Sequence, residues 1–197
     1  VAAAERRTGC EFVVVLAPAS SRYEGRVWAL AVGAALAVYL LLLGVHELAL
    51  DLTADPVWLL AEAVAMGALA MLAARRSNRL LRLLVPRWRQ SACVDAAAEA
   101  TFTRENVSLT RERNAVLLYI SVLEGEARLV PDIGLTRALR ESRLGEIKAM
   151  LSAPGDGDPV ERVESVLEAL GRACGECFAR RDDDINELPD KPQIRLP

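Results

Sequence analysis

Two long apolar runs interrupt the polar background of this chain. Residues 27–45 (VWALAVGAALAVYLLLLGV) carry no charge, and residues 56–74 (PVWLLAEAVAMGALAMLAA) carry only Glu62. At about 1.5 Å of rise per residue each run matches a ~30 Å hydrocarbon core, so both predict transmembrane helices. Pro56 suits a first helical turn, and Trp28 and Trp58 stand near the start of their runs, where an indole favours the headgroup layer. The polar stretch 46–55 joins the two runs into a membrane hairpin. A cleaved signal peptide accounts for one such run but not for a pair, and the first run begins too far into the chain.

The flanks orient the hairpin. Arg22 and Arg26 precede it, and Arg75, Arg76, Arg79, Arg82, Arg87 and Arg89 follow it, whereas the connecting loop carries Glu47, Asp51 and Asp55. Positive charge resists translocation, so both flanks are expected to be cytoplasmic and the loop outside, in a two-span inner-membrane protein. Residues 75–89 alternate arginines with leucines and Trp88, as a helix at the headgroup layer would. Arg75, Arg76, Arg79 and Arg82 are the expected contacts for anionic lipid, at about 1 kcal/mol each. A nucleic-acid patch, the rival reading, would need base-stacking aromatics that this segment lacks.

Small residues recur every fourth position, as Ala29, Gly33 and Ala37 in the first run and Ala63 and Gly67 in the second. Such stripes let membrane helices approach closely, although Ala and Gly are also simply common here. Glu62 either reaches the outer interface, the preferred reading, or pairs with a neighbouring protomer as a channel or transporter component would require.

Outside the hairpin the pattern changes period. Residues 11–16 (EFVVVL) read as a β-branched strand after a helix over 2–7 ended by Thr8 and Gly9. The chain opens inside that helix, which leaves open what precedes it. Residues 92–105 read as an Ala-rich helix, and 115–123 (AVLLYISVL) as a central strand buried on both faces. Glu124 and Gly125 turn the chain into a further strand over 126–130. A lone apolar strand before the hairpin would expose a costly edge, so it must pair with the later ones. This predicts one α/β domain split around an inserted hairpin: residues 1–26 and 90–197 as the domain, 27–74 as the hairpin, 75–89 as the basic segment. Helices follow over 135–151 and from Asp158, where Asp158, Pro159 and Glu161 supply cap, first-turn proline and capping-box acid. Val163, Val166, Leu167, Leu170, Cys174, Cys177 and Phe178 then form one apolar stripe, and Arg180 and Arg181 suit the helix's C-terminal end.

Composition narrows the chemistry. With 24 Lys+Arg against 27 Asp+Glu in 197 residues the chain has no bulk electrostatic hold on nucleic acid. The single histidine, His46, removes most histidine-based catalysis. Four cysteines are too few for a disulfide-stapled secreted scaffold and suit a reducing compartment. Cys174 and Cys177 have CxxC spacing, but both continue the apolar stripe near a helix C-terminus, so core packing outweighs a redox or zinc role. Asp182, Asp183, Asp184, Asn186, Glu187 and Asp190 offer oxygen ligands for Ca²⁺ or Mg²⁺. Glu187 in place of the turn glycine and Gln193 in place of the closing glutamate exclude an EF-hand, and a solvated acidic tail is the simpler reading.

The stretch TG-x-EFVVVLAP, the segment RERNAVLLYISVLEGEARLVPDIGL and the terminal DDDINELPD together resemble the TPM domain, a family named partly for a thylakoid-lumen protein with acid-phosphatase activity. The resemblance is nearest to its bacterial branch carrying an inserted transmembrane hairpin. It implies an α/β/α sandwich around a small mixed sheet, with a divalent-metal-binding acidic surface in some members. On that resemblance the metal-site candidates are Glu124, Asp132, Asp183, Asp184 and Glu187, with Ca²⁺ or Mg²⁺ as the ion. Ala115 stands where the family pattern has glycine, and Pro131 precedes Asp132 where a small residue is usual. Asp132 reads equally as the cap of the following helix. The expected role is a membrane-anchored interaction or assembly module with a protein partner that the sequence does not identify. The alternative is a phosphomonoester hydrolase, which would depend on metal and carboxylates because no glycine-rich phosphate cradle or reactive Cys-Arg loop is present.

Overall fold

The computed structural model describes residues 5, 8–45, 55–139, 141–152, 159–179, 188 and 193–194. Contacts divide the chain into two units, one of residues 1–21 and 90–197 and one of residues 22–89. The first is a mixed α/β unit. Its sheet has the order β3-β2-β1-β4, with β1 Phe12–Ala17, β2 Val116–Ser121, β3 Glu126–Pro131 and a two-residue β4, Gln193–Ile194. β1 pairs in parallel with β2 from Phe12↔Val116 to Ala17↔Ser121, and β2 pairs antiparallel with β3. β4 adds to the other side of β1 at Val15↔Gln193 and is a strand that the hydrophobic pattern does not predict.

The alternation of strand side chains splits the core into two layers. Phe12, Val14, Val116, Leu118 and Leu129 face one side, where they meet α5 Ile133–Ala138, α6 Glu141–Ser152 and α7 Pro159–Cys177 through Leu135, Leu144, Ile147, Val166 and Leu170. Val13, Val15, Leu117 and Tyr119 face the other, against Val94 and Ala98 of α4 Arg87–Arg104 and Val107 of a 3₁₀ turn, Val107–Leu109. The layers are therefore α/β/α around a small mixed sheet, and β1 and β2 are apolar on both faces because both are covered.

The helix expected over 135–151 is two helices. Leu139 turns extended (φ −86°, ψ 135°) at the end of α5, and α6 begins at Glu141. Leu135 and Leu139 are one helical step of four apart, but Leu144 follows after five, which would leave it about 140° off their face in a continuous helix. The break returns Leu144, Ile147 and Leu151 to the core that holds Leu135 and Leu139. Of the apolar stripe expected along α7, Cys174 is buried and Phe178 packs partly buried against the same core, but Cys177, the last residue of the helix, is exposed. Arg143 of α6 pairs with Glu176 of α7, holding the Glu176 carboxyl below its ordinary range. The expected cap Asp158, the side chains of Pro159 and Glu161, Arg180, Arg181 and all of 2–7 except Glu5 lie outside the described residues.

The second unit holds α1 Glu24–Val45 and α2 Pro56–Arg76, both long and apolar enough to cross a membrane. Asp55 caps α2 by accepting from the Val57 amide at 2.9 Å. Val27 and Ala31 of α1 and Leu59, Ala63 and Ala74 of α2 are buried. A Cβ added at Gly67 would lie 2.8 Å from the Ala31 carbonyl oxygen and 3.0 Å from the Ala35 Cβ, so the helices nearly touch there. The α2 stripe Ala63-Gly67 thus packs as expected, but its counterpart is Ala31 and Ala35. Ala29, Gly33 and Ala37 are exposed, because a shift of two residues turns a helix by about 200°. Glu62 is also exposed. After α2, Ser77 caps a short α3, Asn78–Leu84, accepting from the Leu80 amide, and α4 starts at Arg87, five residues before the Ala-rich helix was expected.

Two glycines separate close packing from helix propensity. A Cβ at Gly134 would sit 2.5 Å from the carbonyl oxygens of Glu112 and Arg113, whereas Gly145, inside α6, has open space. Gly134→Ala is expected to destabilise the protein by about 1–3 kcal/mol. Gly145→Ala should stabilise it by about 0.5–1 kcal/mol, both read by urea unfolding in detergent.

Candidate functional site

The carboxyl ends of parallel strands are where open α/β sheets place ligands. β1 and β2 end side by side at Ala17 and Ser121. The chain leaving β1 is held over the β2–β3 turn by amides of Val122 and Leu123 donating to the carbonyls of Ala17 and Pro18 at 2.9 and 2.8 Å. The turn needs its glycine, since Gly125 sits at φ 68° while its amide bonds the Ser121 carbonyl.

Four polar side chains meet in this corner. Ser20 Oγ donates to Ser121 Oγ at 2.8 Å, and Ser121 Oγ donates to Glu124 Oε2. With the Ser20 proton so used, the Tyr119 hydroxyl, 3.2 Å from Ser20 Oγ, must be the donor in that contact. All three hydroxyls therefore point their protons the same way, from Tyr119 through Ser20 and Ser121 to the carboxylate. Glu124 also accepts from the Ser20 amide, at 3.1 Å to Oε1 and 3.3 Å to Oε2. Tyr119, Ser121 and Glu124 are buried at 2%, 1% and 8% exposure. A carboxylate at the end of a one-way hydroxyl chain gains from each bond's polarisation of the next. This arrangement latches Ser20, where the chain heads toward α1, to the β2–β3 turn.

Asp132 is occupied in a different way. It caps α5, with Oδ1 accepting from the Ile133 amide at 2.7 Å. Arg113 grips the same carboxylate with two bonds, Nε to Oδ2 at 2.8 Å and Nη2 to Oδ1 at 3.0 Å. The Arg113 guanidinium is held in its charged form by that bond. Arg113 adopts φ 54°, a left-handed conformation costly for a side chain of this size, and next to it Asn114 Nδ2 donates to the Gly9 carbonyl at 2.6 Å. The Arg113–Asp132 pair thus joins the loop before β2 to the start of α5, and Asn114 joins that loop to the segment before β1.

Of the expected metal-site residues, Glu124 and Asp132 are not brought together. Six residues of β3 lie between them, about 20 Å at the usual ~3.3 Å per residue, and each carboxylate is engaged by internal donors. Asp183, Asp184 and Glu187 lie outside the described residues. Among the described residues no group of three or more His, Cys, Asp or Glu is placed to hold a metal ion. Sequence reasoning missed Ser20, Tyr119, Ser121 and Arg113; only the Ser121-x-x-Glu124 spacing across a turn hinted at the first cluster.

A third polar group lies on the outer strand. Arg128 of β3 bonds Asp95 and Ser91 of α4, Glu126 at 2.8 Å and the Ala127 carbonyl at 3.1 Å. It borders an open groove of about 440 Å³ lined also by Glu99, Pro131, Lys148 and Leu151.

Removing the carboxylate in Glu124→Ala leaves the buried Ser121 hydroxyl without its acceptor and is expected to cost about 1–3 kcal/mol in unfolding free energy. Asp132→Ala should cost at least about 1 kcal/mol through the lost cap alone, with the loss measured in the same urea titration.

Comparison with known proteins adds a fold likeness. No protein-family model matches the chain, and no curated protein matches it. Among solved structures the chain is similar to the BA42 protein from the psychrophilic bacterium Bizionia argentinensis, determined by NMR, at a TM-score of 0.57 and 15% identity. That match covers 99% of this chain and 87% of the other, and at this identity it is a likeness of fold alone.

Proposed function

We propose that this protein is a membrane-anchored TPM-type α/β domain that serves as an interaction or assembly module, with its two halves on the cytoplasmic side of a two-span hairpin. The observation that carries the reading is the bare apolar surface of α1 and α2. Only 11% and 22% of their most apolar windows are buried by protein, whereas a soluble core helix is mostly buried. Val32, Leu36, Leu41, Val57, Leu60, Val64 and Leu72 are all more than half exposed. So large a contiguous apolar surface needs a cover, and lipid is the cover that its length fits. The arginines at 75, 76 and 79 are exposed at the end of α2 and the start of α3, where anionic headgroups would meet them. The sequence resemblance to the TPM domain and the fold likeness to BA42 support the α/β part of the reading.

The interaction role is favoured over hydrolysis because the described acids Glu124 and Asp132 are spent on internal hydrogen bonds. Binding of Ca²⁺ or Mg²⁺ belongs to this reading only through the acidic tail with Asp183, Asp184 and Glu187.

Two measurements test it. Leu50→Cys should react with a membrane-impermeant maleimide in intact cells, while Cys93 and Cys177 react only after permeabilisation; labelling of Cys177 in intact cells overturns the orientation. The purified protein with Mg²⁺ should hydrolyse p-nitrophenyl phosphate no faster than its Asp183→Asn/Asp184→Asn variant. Hydrolysis that the double substitution abolishes would replace the module with a metal-dependent phosphatase.

A further inference from the structure

Three of the four cysteines gather where the start of β1 meets the last turn of α7. The segment before β1 is fastened there by the Gly9 amide and the Thr8 hydroxyl, each donating to the Phe178 carbonyl at 3.0 Å. Thr8 Oγ1 in turn accepts from the Cys10 amide at 3.2 Å. This places Cys10, 2% exposed, in the same core cluster as Cys174, 0% exposed. The neighbouring Cys10 thiol together with burial holds the Cys174 thiol above its ordinary range. Cys177 lies one turn further along α7, exposed, its Sγ 3.6 Å from the Ala138 carbonyl.

We infer that Cys10, Cys174 and Cys177 form a thiol oxidation site in which the exposed Cys177 takes up a low-molecular-weight disulfide and passes the oxidation inward to a Cys10–Cys174 bond. The Cys177 thiolate attacks glutathione disulfide, forming a Cys177–glutathione bond and releasing one glutathione thiolate. The Cys174 thiolate then attacks the Cys177 sulfur and expels the second glutathione. Residues three apart on a helix hold their Cβ atoms about 5–6 Å apart, against about 3.5–4.5 Å in a disulfide, so the Cys174–Cys177 bond strains the last turn. Attack of the Cys10 thiolate on the Cys174 sulfur releases that strain and regenerates the Cys177 thiol. In sum, two protein thiols lose two electrons and two protons, and one glutathione disulfide becomes two glutathiones.

The product is distinct from ordinary surface oxidation. It clips the segment before β1 to α7, across the whole intervening chain, and it leaves Cys177 free.

The test uses the full-length protein in detergent, incubated with glutathione disulfide, quenched by alkylation and mapped by peptide mass spectrometry. Two of the four thiols should be lost, with Cys10 linked to Cys174 and with Cys93 and Cys177 alkylated. Cys177→Ser, an exposed change, should slow formation of the same bond by about 10-fold or more, because the buried pair then lacks its entry thiol. A map in which Cys177 carries glutathione while Cys10 and Cys174 remain alkylated overturns the site. An unchanged rate in Cys177→Ser overturns the entry role.

Discussion

Both strands that flank β1 lie beyond the two apolar helices in the chain: β2 on one side and β4 on the other. β1 alone is an apolar strand with two open edges, and among the described residues no strand before residue 90 pairs with it. The parallel register from Phe12↔Val116 to Ala17↔Ser121 therefore decides everything else in this unit. It sets which residues of β1 face α5, α6 and α7 and which face α4, and it brings Ser20 to the β2–β3 turn. A shift of one residue would exchange the two faces. Contacts this distant along the chain close a long loop before they return any stabilisation, so the β1–β2 pairing costs more chain entropy than the local β2–β3 hairpin.

Three fasteners hold the register at both ends. At the carboxyl ends of the strands the hydroxyl chain from Tyr119 to Glu124 fixes Ser20. At the opposite ends Asn114 reaches the Gly9 carbonyl, and Arg113 grips Asp132. The acids at both ends do structural work that resembles ligand chemistry when only the sequence is in view. A carboxylate beside a turn has the same residue identity whether it awaits a cation or caps a helix, and only the donors around it separate the two.

The membrane-length helices, the strands and the pairing of the first strand with later ones were legible because they rest on period and length, which are local. The boundaries shifted by a residue or so at the strands and by several at α4. The break at Leu139 was legible in principle, since the five-residue step from Leu139 to Leu144 cannot continue a four-residue stripe. The sites were less legible. Ser20 and Glu124 are separated by the whole hairpin, and Cys10 and Cys174 by nearly the whole chain, so no window of sequence contains either pairing. β4 was invisible for another reason: two residues completing an existing edge need no pattern of their own.

The outer strand of the sheet ends in Pro131, which has no amide hydrogen to offer, and the Arg128 guanidinium folds back over the Ala127 carbonyl. Together they spoil the row of backbone groups that another strand would need in order to add there. On the membrane-anchored reading proposed above, this matters more than it would for a chain diffusing in three dimensions. Copies sharing a membrane meet sideways, repeatedly and at high local concentration, and an open sheet edge would let each encounter extend into a filament. Pro131 and Arg128 withhold that edge from such encounters on this reading.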